Sequence, residues 1–180
     1  MMHRYVARVI FYPTLGWNLF WARVLGVWNW WSRVDDHVIL GALPFAFLVK
    51  NLDKEGVRAV VNTCEEYAGP VEQYKQFGMT QLRVPTVDFT PPTIESVEQA
   101  VDYMTDHVRQ GRTVYVHCKA GRGRSATVVL CWLMQEKGFS AKEAQEFLQS
   151  KRPQVVKHVF QRRVVQEFAR RRLTPPCSSE

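Results

Sequence analysis

Short unbroken apolar runs alternate along this chain with longer stretches in which apolar residues recur at helical spacing. Val38-Ile39-Leu40, Arg58-Ala59-Val60-Val61-Asn62, Gln81-Leu82-Arg83-Val84-Pro85 and Thr113-Val114-Tyr115-Val116-His117 read as strands, each bounded by turn residues. Phe47 to Lys54 reads as a helix ending near Gly56, and Thr93 to Arg109 as a helix opened by Thr93 with Glu95 nearby and closed at Gly111. Further helices are expected at about 124–137, 140–150 and 157–172, with Ser140 as an N-cap and Gly138 and Pro153 as punctuation. This alternation predicts an α/β fold, a mainly parallel central sheet flanked by helices, with ligand chemistry at the carboxyl ends of the strands.

The first 33 residues have a different character. The first acidic residue is Asp35, and before it stand Arg4, Arg8, Arg23 and Arg33 with Trp17, Trp21, Trp28, Trp30 and Trp31, five of the six tryptophans. The apolar stretch between Arg8 and Arg23 is broken by Pro13, Thr14 and Asn18, and falls short of the roughly 20 residues a spanning helix needs. The segment therefore suits a mitochondrial presequence or an interfacial helix that meets a membrane surface with its tryptophans at headgroup depth. For Trp28 to Trp31 the competing reading is that they cover the core of the domain that follows.

At 180 residues and 46% hydrophobic content the chain suits one globular domain with flanking segments. The expected division is 1–33 for targeting or membrane contact, 34–173 for the catalytic domain and 174–180 for a tail. Cys64, Cys118, Cys131 and Cys177 show neither metal-ligand spacing nor a dense disulfide framework, which points to a reducing compartment and to chemistry without a metal or other cofactor. The net charge of +7 suits anionic partners. No base-reading motif is present, so a phospholipid fits that charge better than nucleic acid does.

The chemistry concentrates in His117-Cys118-Lys119-Ala120-Gly121-Arg122-Gly123-Arg124-Ser125, which joins a strand to a helix through small residues. Such a turn aims several backbone N–H groups and a helix N-terminus at one point, where an anion belongs. Cys118 opens the loop. A free thiol has a pKa of roughly 8.5, but beside cations and a helix N-terminus it can fall to ~3.5–7.5, giving a nucleophilic thiolate at neutral pH. Arg124 is placed to grip two phosphate oxygens with its fork, Gly121 and Gly123 permit close backbone approach, and the Ser125 hydroxyl can bond the sulfur and improve it as a leaving group. A buried structural cysteine beside a loop arginine is the bland alternative, and the agreement of all these features outweighs it. Lys119 and Arg122 add more positive charge than a single phosphomonoester requires, which suits a substrate with a second phosphate or an anionic bilayer behind it. Asp88, in the proline-bounded stretch Pro85 to Pro92, is the candidate proton donor to the leaving oxygen. His117 is expected to orient the nucleophile through hydrogen bonds, and Glu65 or Glu66 to pair with Arg124 or Arg122 and hold the loop's shape.

His117-Cys118, five residues, Arg124 and Ser125 resemble the signature of the cysteine-dependent protein tyrosine and dual-specificity phosphatases. Arg8 to Leu15, Asp36-His37 with Leu40 to Pro44, Glu65-Glu66-Tyr67 and Val87 to Thr90 are similar to the mitochondrial dual-specificity-type phosphatases that act on phosphatidylglycerophosphate. The departure is Ala68-Gly69, where another acidic residue is expected. The resemblance implies a dual-specificity phosphatase fold, a cysteinyl-phosphate intermediate, and Asp88 as acid in the first half-reaction and base in the second. It also implies an anionic phospholipid substrate, a step in cardiolipin synthesis and a place at the mitochondrial inner membrane. Lys119-Ala120-Gly121 with a cation at Arg122 resembles the loop of phosphoinositide phosphatases, so phosphoinositides and phosphoproteins stay as alternative substrates. Asn62-Thr63-Cys64 resembles the Asn-x-Cys element of the phosphatase-and-tensin lipid phosphatase, which implies a redox role in which Cys64 bridges reversibly to Cys118. Arg162, Arg163, Arg170, Arg171 and Arg172 near the C-terminus read as a membrane-docking patch or, more plainly, as a solvated basic face.

Overall fold

Five strands, β1 (Trp31–Arg33), β2 (Val38–Gly41), β3 (Val57–Cys64), β4 (Thr80–Thr86) and β5 (Thr113–His117), form one sheet in the order β1-β2-β5-β3-β4. In this computed structural model the described residues are 29–173, together with Pro13 in isolation. Arg4, Arg8, Arg23, Trp17, Trp21 and Trp28 of the expected presequence, and the tail from 174 onward, lie outside them. The four inner-to-outer strands β2, β5, β3 and β4 pair in parallel, and β1 closes one edge antiparallel, so the sheet is mixed and mainly parallel. β5 is buried at every residue, as expected of a central parallel strand with helices on both faces and a continuous apolar run.

The helices are α1 (Val49–Lys54), entered through a 3-10 turn at Ala46–Leu48, α2 (Val71–Gln76), α3 (Ile94–Arg109), α4 (Arg124–Lys137), α5 (Ala141–Lys151) and α6 (Arg163–Arg172). Ser140 caps α5 in a full capping box with Glu143, and Gly138 ends α4 in the left-handed region at φ +68°. Thr93 caps α3 by accepting from the Ser96 amide, without help from Glu95. α4, whose residues from Arg124 to Met134 are all buried, packs between the sheet and α3, α5 and α6, so the helix leaving the reactive loop is the centre of the main core. On the other face Ile39, Val60, Tyr74 and Tyr115 form a second cluster.

Two elements were absent from the sequence pattern. β1 is only three residues long, and α2 carries a single buried side chain, Tyr74. β1 answers the question about the tryptophans within the described residues: Trp31 packs edge-on against Tyr115 at 6.4 Å, and Trp30 lies against Leu43 and donates from Nε1 to its carbonyl at 3.1 Å. Both cover the core. The single helix expected over 157–172 is instead a 3-10 turn at Val159–Gln161, an extended Arg162 (φ −63°, ψ 136°) and then α6. The basic end of α6 is a salt-bridged outer face: Arg170 and Arg171 hold Glu167, and Arg172 holds Asp102.

Candidate active site

β5 delivers Cys118 to the end of the sheet, and the loop turns through Gly121 into α4 at Arg124. Gly121 sits at φ +65°, and a Cβ there would overlap the Gly41 carbonyl, so the turn and its packing on β2 both demand glycine. The Cys118 Sγ accepts from the Gly121 amide and from the Ser125 Oγ, each at 3.2 Å. Burial alone would raise the pKa of this thiol. The Arg124 guanidinium, the Ser125 hydroxyl and the Ser125 and Arg122 amides outweigh burial and bring it down to about 6, so thiolate dominates at neutral pH.

Arg124 is 3% exposed, and its Nη1 donates to Glu66 Oε2 at 2.9 Å and to the Thr86 carbonyl at 2.7 Å. Its Nη2 lies 2.9 Å from Asp88 Oδ1 without an aligned hydrogen bond, which leaves a buried donor directed at the site. The other Asp88 oxygen contacts the Lys119 ammonium. Asp88 is thus clasped by two cations across the loop from the sulfur, with its carboxylate lying where a substrate oxyanion can replace it. Glu66 ties the two halves together, because its second oxygen accepts from the Asp88 amide at 2.9 Å. One buried carboxylate therefore orients both the phosphate-gripping arginine and the acid loop. Phe89, next to Asp88, takes a positive φ of 64° and is 76% exposed, with the Lys119 Nζ 5.2 Å from its ring centre.

The other expected residues lie around this loop. The His117 ring makes no hydrogen bond to the Cys118 sulfur, and burial brings its pKa down to about 3 against the opposing effect of the Cys118 backbone, so the ring is neutral. It supports the loop by packing, stacked on Tyr115 at 5.7 Å and edge-on to Tyr67 at 6.5 Å, while Thr63 Oγ1 holds its carbonyl at 2.9 Å. Of the two glutamates, Glu66 reaches Arg124, whereas the Glu65 amide pairs with the Thr86 carbonyl. Arg122 directs Nε to the Gln154 carbonyl at 2.8 Å. Cys64 is a free, fully buried thiol at the end of β3, and burial pushes its pKa up strongly. The described residues contain no cluster of groups able to hold a metal ion.

A cavity of about 450 Å³ opens above the sulfur, lined by Cys118, Lys119, Arg124 and Asp88 and also by Phe89, Arg122, Val156 and Arg162. In the sequence Arg162 belongs to a basic run and Arg152 carries no distinguishing signal. Arg152 is 1% exposed and has no carboxylate among its hydrogen-bond partners. Its Nε donates to the Gly121 carbonyl at 2.9 Å and Nη2 to that of Ala120 at 3.1 Å, while Nη1 reaches the Asn29 carbonyl at 3.0 Å and Ser32 Oγ at 3.2 Å. It locks the underside of the loop to the strand β1 segment. Burial lowers its pKa to about 10, which leaves it charged at neutral pH. Arg152→Met removes the donor from several buried carbonyls, each worth roughly 1–3 kcal/mol when unsatisfied. Urea unfolding should show a loss of roughly 2–4 kcal/mol. A change below about 0.5 kcal/mol, the usual range of a surface substitution, would show that the loop does not depend on this clasp.

An anion-binding turn built around a cysteine thiolate, with a loop arginine beneath and a carboxylate across from it, defines a phosphatase that uses a cysteine nucleophile. The family model for the dual specificity phosphatase catalytic domain matches residues 38–171, and the chain belongs to that family. It is 41% identical over 166 residues to the phosphatidylglycerophosphate phosphatase PTPMT2 of Arabidopsis thaliana, covering 91% of this chain and 73% of that protein. It is 42% identical over 148 residues to the phosphatidylglycerophosphatase and protein-tyrosine phosphatase 1 of Homo sapiens, covering 77% and 74% of the two chains. The crystal structure of PTPMT1 in complex with PI(5)P superposes with a TM-score of 0.70 at 33% identity, covering 79% of this chain and 99% of that one.

Proposed function

We propose that the protein removes the terminal phosphate of phosphatidylglycerophosphate through a cysteinyl-phosphate intermediate. The observation that carries this reading is similarity along nine-tenths of the chain to a relative named for that activity, joined to a complete set of reacting groups around one cavity. The substrate dianion displaces Asp88 from Arg124 and takes the guanidinium and the loop amides for its own oxygens. The Cys118 thiolate attacks phosphorus in line, the S–P bond forms as the ester P–O bond breaks, and Asp88, released from its two cations and carrying a proton taken from solvent, gives that proton to the departing glycerol oxygen. Water then attacks the cysteinyl-phosphate, Asp88 takes a proton from it, and inorganic phosphate leaves as the thiolate is restored. The Ser125 hydroxyl on Sγ stabilises that leaving thiolate.

The same reading places the enzyme at the mitochondrial inner membrane, with the Trp- and Arg-rich N-terminal segment on the lipid surface. It is supported by the net charge of +7 and by Trp17, Trp21 and Trp28 standing with Arg4, Arg8 and Arg23 ahead of the first acidic residue, Asp35. Among the described residues no helix is long and apolar enough to cross a membrane. A phosphoinositide is the second reading, favoured by the similarity to a PTPMT1 structure that holds PI(5)P. Phosphate release from phosphatidylglycerophosphate, phosphoinositides and a phosphotyrosine peptide, measured side by side, decides the matter. Phosphatidylglycerophosphate is expected to have the highest kcat/KM, and a wide margin in favour of the peptide overturns the lipid assignment.

A further inference from the structure

Among the described residues, Arg162 is a cation that both lines the cavity and hydrogen-bonds the reactive loop. It interrupts the path between the 3-10 turn at Val159–Gln161 and α6 with an extended backbone, and its side chain runs back to the reactive loop. Nη1 donates to the Gly123 carbonyl at 3.1 Å and to Thr127 Oγ1 at 2.6 Å. A Cβ built on Gly123 would lie 3.4 Å from Nη2, so the guanidinium covers that glycine. These polar contacts, made among the described residues, are all to neutral groups. Arg124 by contrast is paired with Glu66 and Asp88, Lys119 with Asp88, and Arg172 with Asp102. Burial lowers the Arg162 pKa, and the Cys118 thiolate acts in the opposite direction.

A half-buried cation whose own polar partners are all neutral is costly to hold unless an anion completes it. The cavity is much larger than one phosphate, and Arg162 lines it together with Arg122 and Val156, in addition to the groups that serve the reacting phosphate. We propose that Arg162, with Arg122, forms a second-anion subsite that grips a phosphodiester of the substrate while Arg124 grips the phosphomonoester. The ligand class is a molecule with a terminal phosphomonoester and a second phosphate one short polyol away. This deepens the function proposed above and rests on it.

The test compares Arg162→Gln and Arg162→Lys with wild type on short-chain, monomeric phosphatidylglycerophosphate and on p-nitrophenyl phosphate, which has no second anion. Thermal unfolding of each variant checks that the loop stays folded. In Arg162→Gln the ratio of kcat/KM on the lipid to kcat/KM on the aryl phosphate should fall roughly tenfold or more, through KM, and Arg162→Lys should retain part of it. A ratio within about twofold of wild type in Arg162→Gln overturns the subsite, even where the wild-type enzyme prefers the lipid and the function stands. Should wild type prefer a phosphoinositide, the same ratio is read on that substrate, which also carries a monoester and a diester. A wild-type preference for a phosphotyrosine peptide over both lipids overturns the function and the subsite together.

Discussion

Cys118→Ser should lower phosphate release from every substrate by a factor on the order of 10⁴ or more while leaving the protein folded and able to bind a phosphate ester. The reason lies in the balance found at the sulfur. Burial opposes ionisation there, and Arg124, Ser125 and the loop amides overcome it for a thiol, bringing the pKa to about 6. A serine hydroxyl starts so much further from ionisation that the same surroundings leave it protonated, and no neighbouring group stands ready as a base. His117 is neutral, buried and turned to Tyr115 and Tyr67. The phosphate-gripping groups are untouched, so the variant should still retain a phosphorylated lipid in a binding assay. Residual turnover above about one part in a hundred would assign the attack to another group. In wild type the same ionisation sets the acid limb of the rate profile: a thiol with a lowered pKa is thiolate above about 6, so kcat/KM should fall as pH drops below that value.

Asp88→Asn should slow release from an alkyl phosphomonoester by roughly 10²–10⁴-fold and affect p-nitrophenyl phosphate much less, because the nitrophenolate leaves without needing a proton. The carboxylate is clasped by Arg124 at 2.9 Å and by Lys119, so the amide also removes an internal competitor for both cations. Substrate affinity should therefore hold or improve while kcat falls. Equal losses on the two substrates would point to a collapsed loop, and no loss on the alkyl ester would remove Asp88 from the proton transfer.

Much of this site could be read from the chain because its chemistry is local. Cys118, Gly121, Arg124 and Ser125 lie within eight residues and are assembled by one strand-loop-helix turn, and Asp88 follows a strand with a clear apolar pattern. The parallel strands were legible for the same reason, since each is a short apolar run buried on both faces. What stayed hidden depends on where distant segments meet. Arg152 and Arg162 look like ordinary members of a basic C-terminal region, and only the packing of that region against the loop makes one a buried clasp and the other a wall of the cavity. The choice between Glu65 and Glu66 turns on which way the chain faces as it leaves β3. β1 is too short, and α2 too polar, to show in a periodicity.

The ionisation of one sulfur is the point on which the chemistry turns, and iodoacetamide labelling of Cys118 as a function of pH, followed on its own peptide by mass spectrometry, reads it directly. Cys64 and Cys131 are buried, burial raises both of their pKa values, and following the Cys118 peptide alone separates its labelling from that of Cys177. The labelling rate should be half-maximal near pH 6. A midpoint at roughly 8.5, where an unperturbed thiol titrates, would contradict a loop built to hold a thiolate against phosphate.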